Sequence, residues 1–220
     1  MLEKLKRFIK QNWPNQTTGW LLYRDLVLNR DSYLHTTGWL RSLRQAKPLD
    51  ANGTPVPWMN YPVVQLLAER LPRDAVLFEF GSGHSTAFWA RHVAQVHSIE
   101  YDSRWLDLIT PTLPANATVR YCEQDRDGHY CRSLAAPCVL FDVVVIDGRD
   151  RVNCVLQALS HLADGGVIIL DDSSREKYRS AFEATHAAGY KALTITGLKP
   201  TGLGTDTTTI FYRPGNCLGL

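Results

Sequence analysis

Hydrophobic and polar positions change period along this chain, and the changes separate a helical opening from a long alternation of strands and helices. MLEKLKRFIK puts Leu2, Leu5, Phe8 and Ile9 on one helical face, with Lys4, Lys6, Arg7 and Lys10 around the rest. Such a short helix is expected to dock on its own domain or a partner chain; contact with an anionic membrane surface is the second reading. Trp13-Pro14 and Asn15 to Gly19 are read as a break. Helical segments follow over roughly Trp20 to Leu28, and from Asp31-Ser32 to a point before Pro48. LDANGTPVPWMNYP, Leu49 to Pro62, is too rich in proline for a helix or a central strand. Its Trp58, Met59 and Tyr61 either line a pocket, as a lid or substrate wall, or pack the extension onto the domain that follows.

From Val63 the pattern alternates. A helix to Arg70 precedes a continuous apolar run, Ala75 to Phe80, of the kind a strand buried on both faces shows. Strands are then predicted at Gln95–Ile99, Thr118–Cys122, Phe141–Ile146 and Val167–Leu170. The helices between and after them are Ser85 to Val93, Ser103–Ile109, a short one near Tyr130–Leu134, Val152–Leu162 and Glu176–Ala188, the last with Asp172, Ser173 or Ser174 as its cap. This is the βαβ repetition of a right-handed, doubly wound parallel sheet. Tyr190–Thr196 and Thr207–Tyr212 have no helix between them, so they are expected to pair antiparallel.

Composition adds bounds. A chain of 220 residues suits one α/β domain, here 63–220, with an N-terminal extension over 1–62. No apolar run is long enough for a membrane span. A net charge of +2 gives no general reason to expect nucleic acid as a partner. The five cysteines lack metal-ligand spacing, and with no secretory signal ahead of them free thiols and a cytoplasmic location are expected.

Candidate chemistry gathers at the carboxyl ends of the strands, where open α/β sheets bind ligands. Gly81 and Gly83 lie between the first strand and its helix, a turn that brings backbone N–H groups close to a bound group. Glu79 precedes the turn, Glu100 ends the second strand, and Glu123 or Asp125, Asp147 and Asp171-Asp172 follow the next three. Carboxylates this closely grouped need cations, hydroxyls or N–H donors to compensate them. His84 is read as a backbone element of the turn rather than an acid or base.

The pattern E-x-G-x-G, with an acid ending the next strand, resembles motif I and its partner acid in class I S-adenosylmethionine (SAM) methyltransferases. A wider similarity, from Asp31 to Arg213, is to bacterial methyltransferase-like proteins carrying PW-x-x-YP, FGSGHST, IDGRxR, DDS and TTTIFYR. The resemblance implies a Rossmann-like seven-stranded sheet ending in an antiparallel hairpin. It implies SAM as cofactor, held by Glu79, Gly81, Ser82, Gly83, Ser85, Thr86, Glu100, Tyr101, Asp125 and Asp147. FDVVVIDGRDRV and GGVIILDDSSREKY also look like strands four and five of catechol-type O-methyltransferases. That extends the resemblance to a divalent cation such as Mg²⁺ at Asp147, Asp171 and Asp172, although Asp150 stands where that family has a lysine and leaves the metal requirement open.

The expected activity is therefore methyl transfer, most simply to an oxygen of a small-molecule or saccharide acceptor, with Asp147, Asp150 and Asp171 as candidate bases. Arg149 and Arg151 either meet an anionic acceptor or bridge neighbouring acids. Homo-oligomerisation stays open. The alternatives are a methyltransferase-fold binding module without turnover and a nicotinamide-dependent oxidoreductase. Thr86, where G-x-G-x-x-G would place its third glycine, and the final hairpin speak against the oxidoreductase.

Overall fold

The fold grows from strands whose side chains alternate between two apolar layers. Leu77 of β1 (Val76–Phe80), Val143 and Val145 of β4 (Phe141–Ile146), and Val167 and Ile169 of β5 (Leu162–Leu170) enter one core. Their neighbours Phe78, Phe80, Val144, Ile146, Ile168 and Leu170 enter the other. Each fully buried aliphatic side chain of this kind contributes about 1.5–3 kcal/mol. In this computed structural model, residues 3, 4, 7, 8, 11 and 14–220 are described. The apolar face formed by Leu2, Leu5 and Ile9 falls outside them.

The sheet has seven strands in the order β3-β2-β1-β4-β5-β7-β6, with β2 at Gln95–Glu100, β3 at Ala117–Tyr121, β6 at Lys191–Leu198 and β7 at Thr205–Tyr212. β1 to β5 are parallel, and β7 is antiparallel to both β5 and β6. Because β1 lies between β2 and β4, the order reverses there, and a crevice opens beyond the carboxyl ends of β1 and β4.

The helices are α1 (Pro14–Tyr23), α2 (Tyr33–Thr36), α3 (Trp39–Gln45), α4 (Tyr61–Arg70), α5 (His84–His92), α6 (Ser103–Ile109), α7 (His129–Arg132), α8 (Arg151–Ala158) and α9 (Arg179–Ala187). No helix among the described residues is long and apolar enough to cross a membrane.

Several boundaries differ from the sequence expectation. Asn15 to Gly19 lie inside α1 rather than in a break. A π-helical turn continues it over Arg24–Leu28. The single helix expected before Pro48 is two. Gly38 breaks it at φ 89°, and a Cβ there would lie 2.2 Å from the backbone carbon of Asp50. Downstream, α8 stops at Ala158, four residues short of expectation, since Leu162 already pairs with Phe141. Ser173 does not cap a helix. Its hydroxyl bonds Thr207 and Thr209 of β7, and α9 starts only at Arg179, after a 3₁₀ turn over Glu176–Tyr178.

The proline-rich segment is packed rather than free. Met59 and Tyr61 are buried, and the Tyr61 hydroxyl lies 2.8 Å from Ser42 Oγ, which itself donates to Leu49 O. Trp58 alone of its three large side chains is exposed. Asn60, fully buried, caps α4 through Val63 N and donates its amide N–H groups to Ile195 O and Thr208 Oγ1, both at 3.1 Å. Asn60→Ala removes a cap worth about 1 kcal/mol and strands two buried acceptors. The expected result is a loss of about 2–4 kcal/mol in urea unfolding, measured against wild type.

Candidate active site

Gly81, at φ 92°, carries the chain off the end of β1. Its N–H donates to Ile99 O, and a Cβ there would stand 3.2 Å from Asp147 O and 3.3 Å from the Gly148 Cα. A side chain would thus push the turn off the end of β4. Behind the turn lies Glu79, 1% exposed. Its Oε2 accepts from Thr86 Oγ1 and Ser98 Oγ, and its Oε1 accepts from Trp89 Nε1, all at 2.7 Å. Burial still outweighs these bonds and pushes the carboxyl up to about 7. Thr86, in turn, accepts from Gly83 N at 3.0 Å.

Glu100 faces the turn from β2. Oε2 accepts from the backbone N–H and hydroxyl of Ser82, each at 3.0 Å, and Oε1 from the N–H groups of Tyr101 and Asp102, each at 2.9 Å. Trp105 closes the same edge, donating its indole N–H to Ser82 O at 2.9 Å and lying 3.4 Å from where a Gly83 Cβ would be. Beyond β3, the exposed Asp125 accepts from His129 N and Tyr130 N at the start of α7, and these bonds hold its carboxyl below the usual range. Tyr101 and Arg149 contact each other. The guanidinium stacks 4.6 Å from the ring centroid and donates to the phenol oxygen at 2.6 Å.

Acids after β4 and β5 surround one buried cation. Arg151 donates from Nη2 to Asp147 Oδ1 at 2.7 Å, from Nη1 to Asp171 O at 2.5 Å and from Nε to Gly148 O at 3.1 Å. Asp172 Oδ2 lies 4.0 Å from it and also pairs with Arg175. Asp171 accepts from Thr208 Oγ1, so Asn60 reaches Asp171 through that hydroxyl. Burial, then the charges of Asp147 and Asp206, push Asp171 well above the ordinary carboxylate range. Asp206 is pushed up to about 6 by burial and by its hydrogen bond with Asp172.

The three carboxylates that converge within 4.8 Å are Asp171, Asp172 and Asp206, whereas Asp147 is paired with Arg151. Of the cation set expected from sequence, Asp171 and Asp172 lie in this cluster, whereas the Asp147 carboxylate is turned to the Arg151 guanidinium. Asp150 accepts from Asp127 N and from Asn153 Nδ2, which fixes the loop before α8.

Asp206, Trp105, Thr208 and Asn60 were missed in the sequence, because each gains its role from residues far along the chain. The Asp147 to Arg151 spacing of four residues was the one local signal for the central ion pair.

Seven strands in this order, with a C-terminal antiparallel hairpin, form the Rossmann-like fold of class I SAM-dependent methyltransferases. Solved structures show the same fold. An rRNA methylase from Streptococcus thermophilus matches with a TM-score of 0.51 at 16% identity, over 69% of this chain and 96% of that one. A precorrin-6y C5,15-methyltransferase from Geobacter metallireducens matches with a TM-score of 0.53 at 16% identity, over 70% and 88%. A precorrin-8w decarboxylase from Methanobacterium thermoautotrophicum matches at 0.50 and 20%, over 69% and 88%. No protein-family model matches the sequence, and comparison with curated proteins gives no match. The names span different reactions, so the fold fixes neither acceptor nor chemistry.

Glu79 yields a pH test. Its folded-state value near 7 lies above the ordinary 4.5, so its protonated form favours the fold. That contribution is complete below the unfolded value and is lost as pH rises through 7. Glu79→Gln keeps the site neutral but turns an N–H₂ toward donors. The stability advantage of wild type over this variant is expected to shrink between about pH 5 and about pH 7.5 in urea titrations.

Proposed function

We propose that the protein transfers the methyl group of SAM to an oxygen of a small-molecule or glycan-type acceptor. The observation that carries this reading is the placement of Glu100, whose carboxylate sits 3.0 Å from the Ser82 hydroxyl at the mouth of a turn with no Cβ at Gly81. A ligand with vicinal hydroxyls can replace the Ser82 hydroxyl as donor without moving the backbone. Two of the three structures described above are named as methylating enzymes, which supports the same reading.

SAM supplies an electrophilic methyl group on a sulfonium; alignment and deprotonation of the acceptor fall to the chain. The turn from Gly81 to Thr86 receives the amino acid end, with Glu79 as a strut behind it. Glu100 and Tyr101 take the ribose side, and the loop with Asp125 borders the base. Asp147 is the proton acceptor, being partly exposed at the crevice while Asp171 is buried. Loss of solvation raises the Asp147 pKa above the ordinary carboxylate value, and the charge of Arg151 opposes that rise. Asp171 and Asp150 hold Asp147 and its loop in position.

Thermal unfolding tests the cofactor. S-adenosylhomocysteine at about a hundred times its dissociation constant should add about 2.7 kcal/mol of stability. Glu100→Gln, compared with its own ligand-free baseline, should lose most of that gain. Stabilisation by NAD instead of S-adenosylhomocysteine would overturn the assignment, and no response to either would favour a binding module. With an acceptor that turns over, Asp147→Asn is expected to lower kcat by about 10²–10⁴-fold while S-adenosylhomocysteine affinity stays within about threefold. An equal loss of affinity would make Asp147 a binding group rather than the base.

A further inference from the structure

Next to the proposed methyl-transfer crevice, with Gly148 in its wall, is a cleft of about 420 Å³. Arg126, Arg149, Arg151, Asn153, Arg175 and Lys177 line it. Two of these cations are already balanced, Arg151 by Asp147 and Arg175 by Asp172. Arg126, Arg149 and Lys177 form no ion pair among the described residues. Aromatic faces hold two of them without discharging them. Arg149 stacks on Tyr101, and Lys177 stands 5.1 Å over the Tyr178 ring.

The one carboxylate in the wall, Asp150, is occupied by Asp127 N at 2.8 Å and by Asn153 Nδ2 at 2.9 and 3.0 Å. At the head of α8, the N–H groups of Arg151, Val152 and Asn153 have no protein acceptor, the first intrahelical bond being Cys154 N to Asp150 O. Three uncompensated positive charges thus meet a helix start in one concave place, on a chain whose formal net charge is only +2. Like charges brought this close repel unless an anion joins them.

We propose that this cleft binds an oxyanion group, phosphate above all, carried by a small methyl acceptor. The assignment of the anion's bearer as acceptor rests on the methyl-transfer reading; the anion site itself does not. Guanidinium groups and free amide N–H groups match the geometry of phosphate oxygens. The volume falls within the range of small-ligand clefts. Gly148 both lines the cleft and abuts Gly81, so an anion seated here lies next to the turn.

A polyanion is disfavoured, because Asp147, Asp172 and Asp206 follow on the crevice side and would repel an extended phosphate backbone. A compact ligand with one charged group and a neutral hydroxylated remainder satisfies both halves. The charged end meets the arginines, and a hydroxyl is left to face Asp147.

Thermal unfolding titrated with sodium phosphate, against sodium chloride of equal ionic strength, reads the site directly. Saturable stabilisation is expected. Arg126→Gln/Lys177→Gln should weaken it about tenfold or more, whereas Arg120→Gln/Lys191→Gln, which removes the same charge from exposed strand positions, should not. S-adenosylhomocysteine stabilisation should persist in both variants.

A phosphate effect no larger than that of chloride, or one lost equally in both variants, would overturn the proposal whatever S-adenosylhomocysteine does. Phosphate binding without any response to S-adenosylhomocysteine would confirm the anion site and overturn the methyl-transfer reading. A single-stranded RNA oligonucleotide that binds more tightly than phosphate, and is lost in the first variant, would overturn the small-ligand assignment.

Discussion

A carboxylate enclosed by hydroxyls and an indole is the constraint on which the crevice depends. Glu79 belongs to β1, Ser98 to β2, and Thr86 and Trp89 to α5. An acid buried this deeply without partners would carry a penalty of several kcal/mol. Satisfying it therefore sets the spacing of two strands and a helix together. Gly81 can then lie against Asp147 and Gly148, and the first amides of α5 stay at the sheet edge. Glu100 repeats the device one strand over, with backbone amides in place of hydroxyls. The two acids differ in what surrounds them. Glu79 is sealed behind apolar side chains, while Glu100 sits where the Ser82 hydroxyl can rotate away.

Charge is segregated across Gly148. On the crevice side stand Asp147, Asp171, Asp172 and Asp206, and Arg151, from the wall of the basic cleft, pairs with Asp147 and ties the loop after β5 through Asp171 O. On the other side bases outnumber acids. A guanidinium bonded to four backbone or carboxylate oxygens is a rigid counter-ion, more directional than an ammonium would be. Its rigidity keeps the carboxylates around it at fixed separations.

How much of this was legible in the sequence follows from where the partners lie. The two-layer alternation of VLFEF and FDVVVI, the glycine turn and the missing crossover helix near the end are local, and they led to the sheet and its hairpin. The insertion of β7 between β5 and β6 is set by pairing across the whole sheet and leaves no local trace. Gly38 splits a continuous helical pattern because of Asp50, twelve residues on, and β5 begins early because Leu162 finds Phe141. At the site, the acids at the strand ends could be enumerated from the chain. Their pairing could not, since Arg151, Thr208 and Asn60 decide which carboxylates are neutralised, protonated or free.

The attachments of Asn60 order the events of folding in time. Its amide meets Ile195 and Thr208, separated from it by 135 and 148 residues. During synthesis the segment around Met59 emerges well before these partners do. Closing loops that long is entropically unfavourable until the hairpin exists to receive them. The proline-rich segment is thus tied to the hairpin by contacts of high sequence separation, and the burial of Met59 and Asn60 is coupled to completion of the sheet.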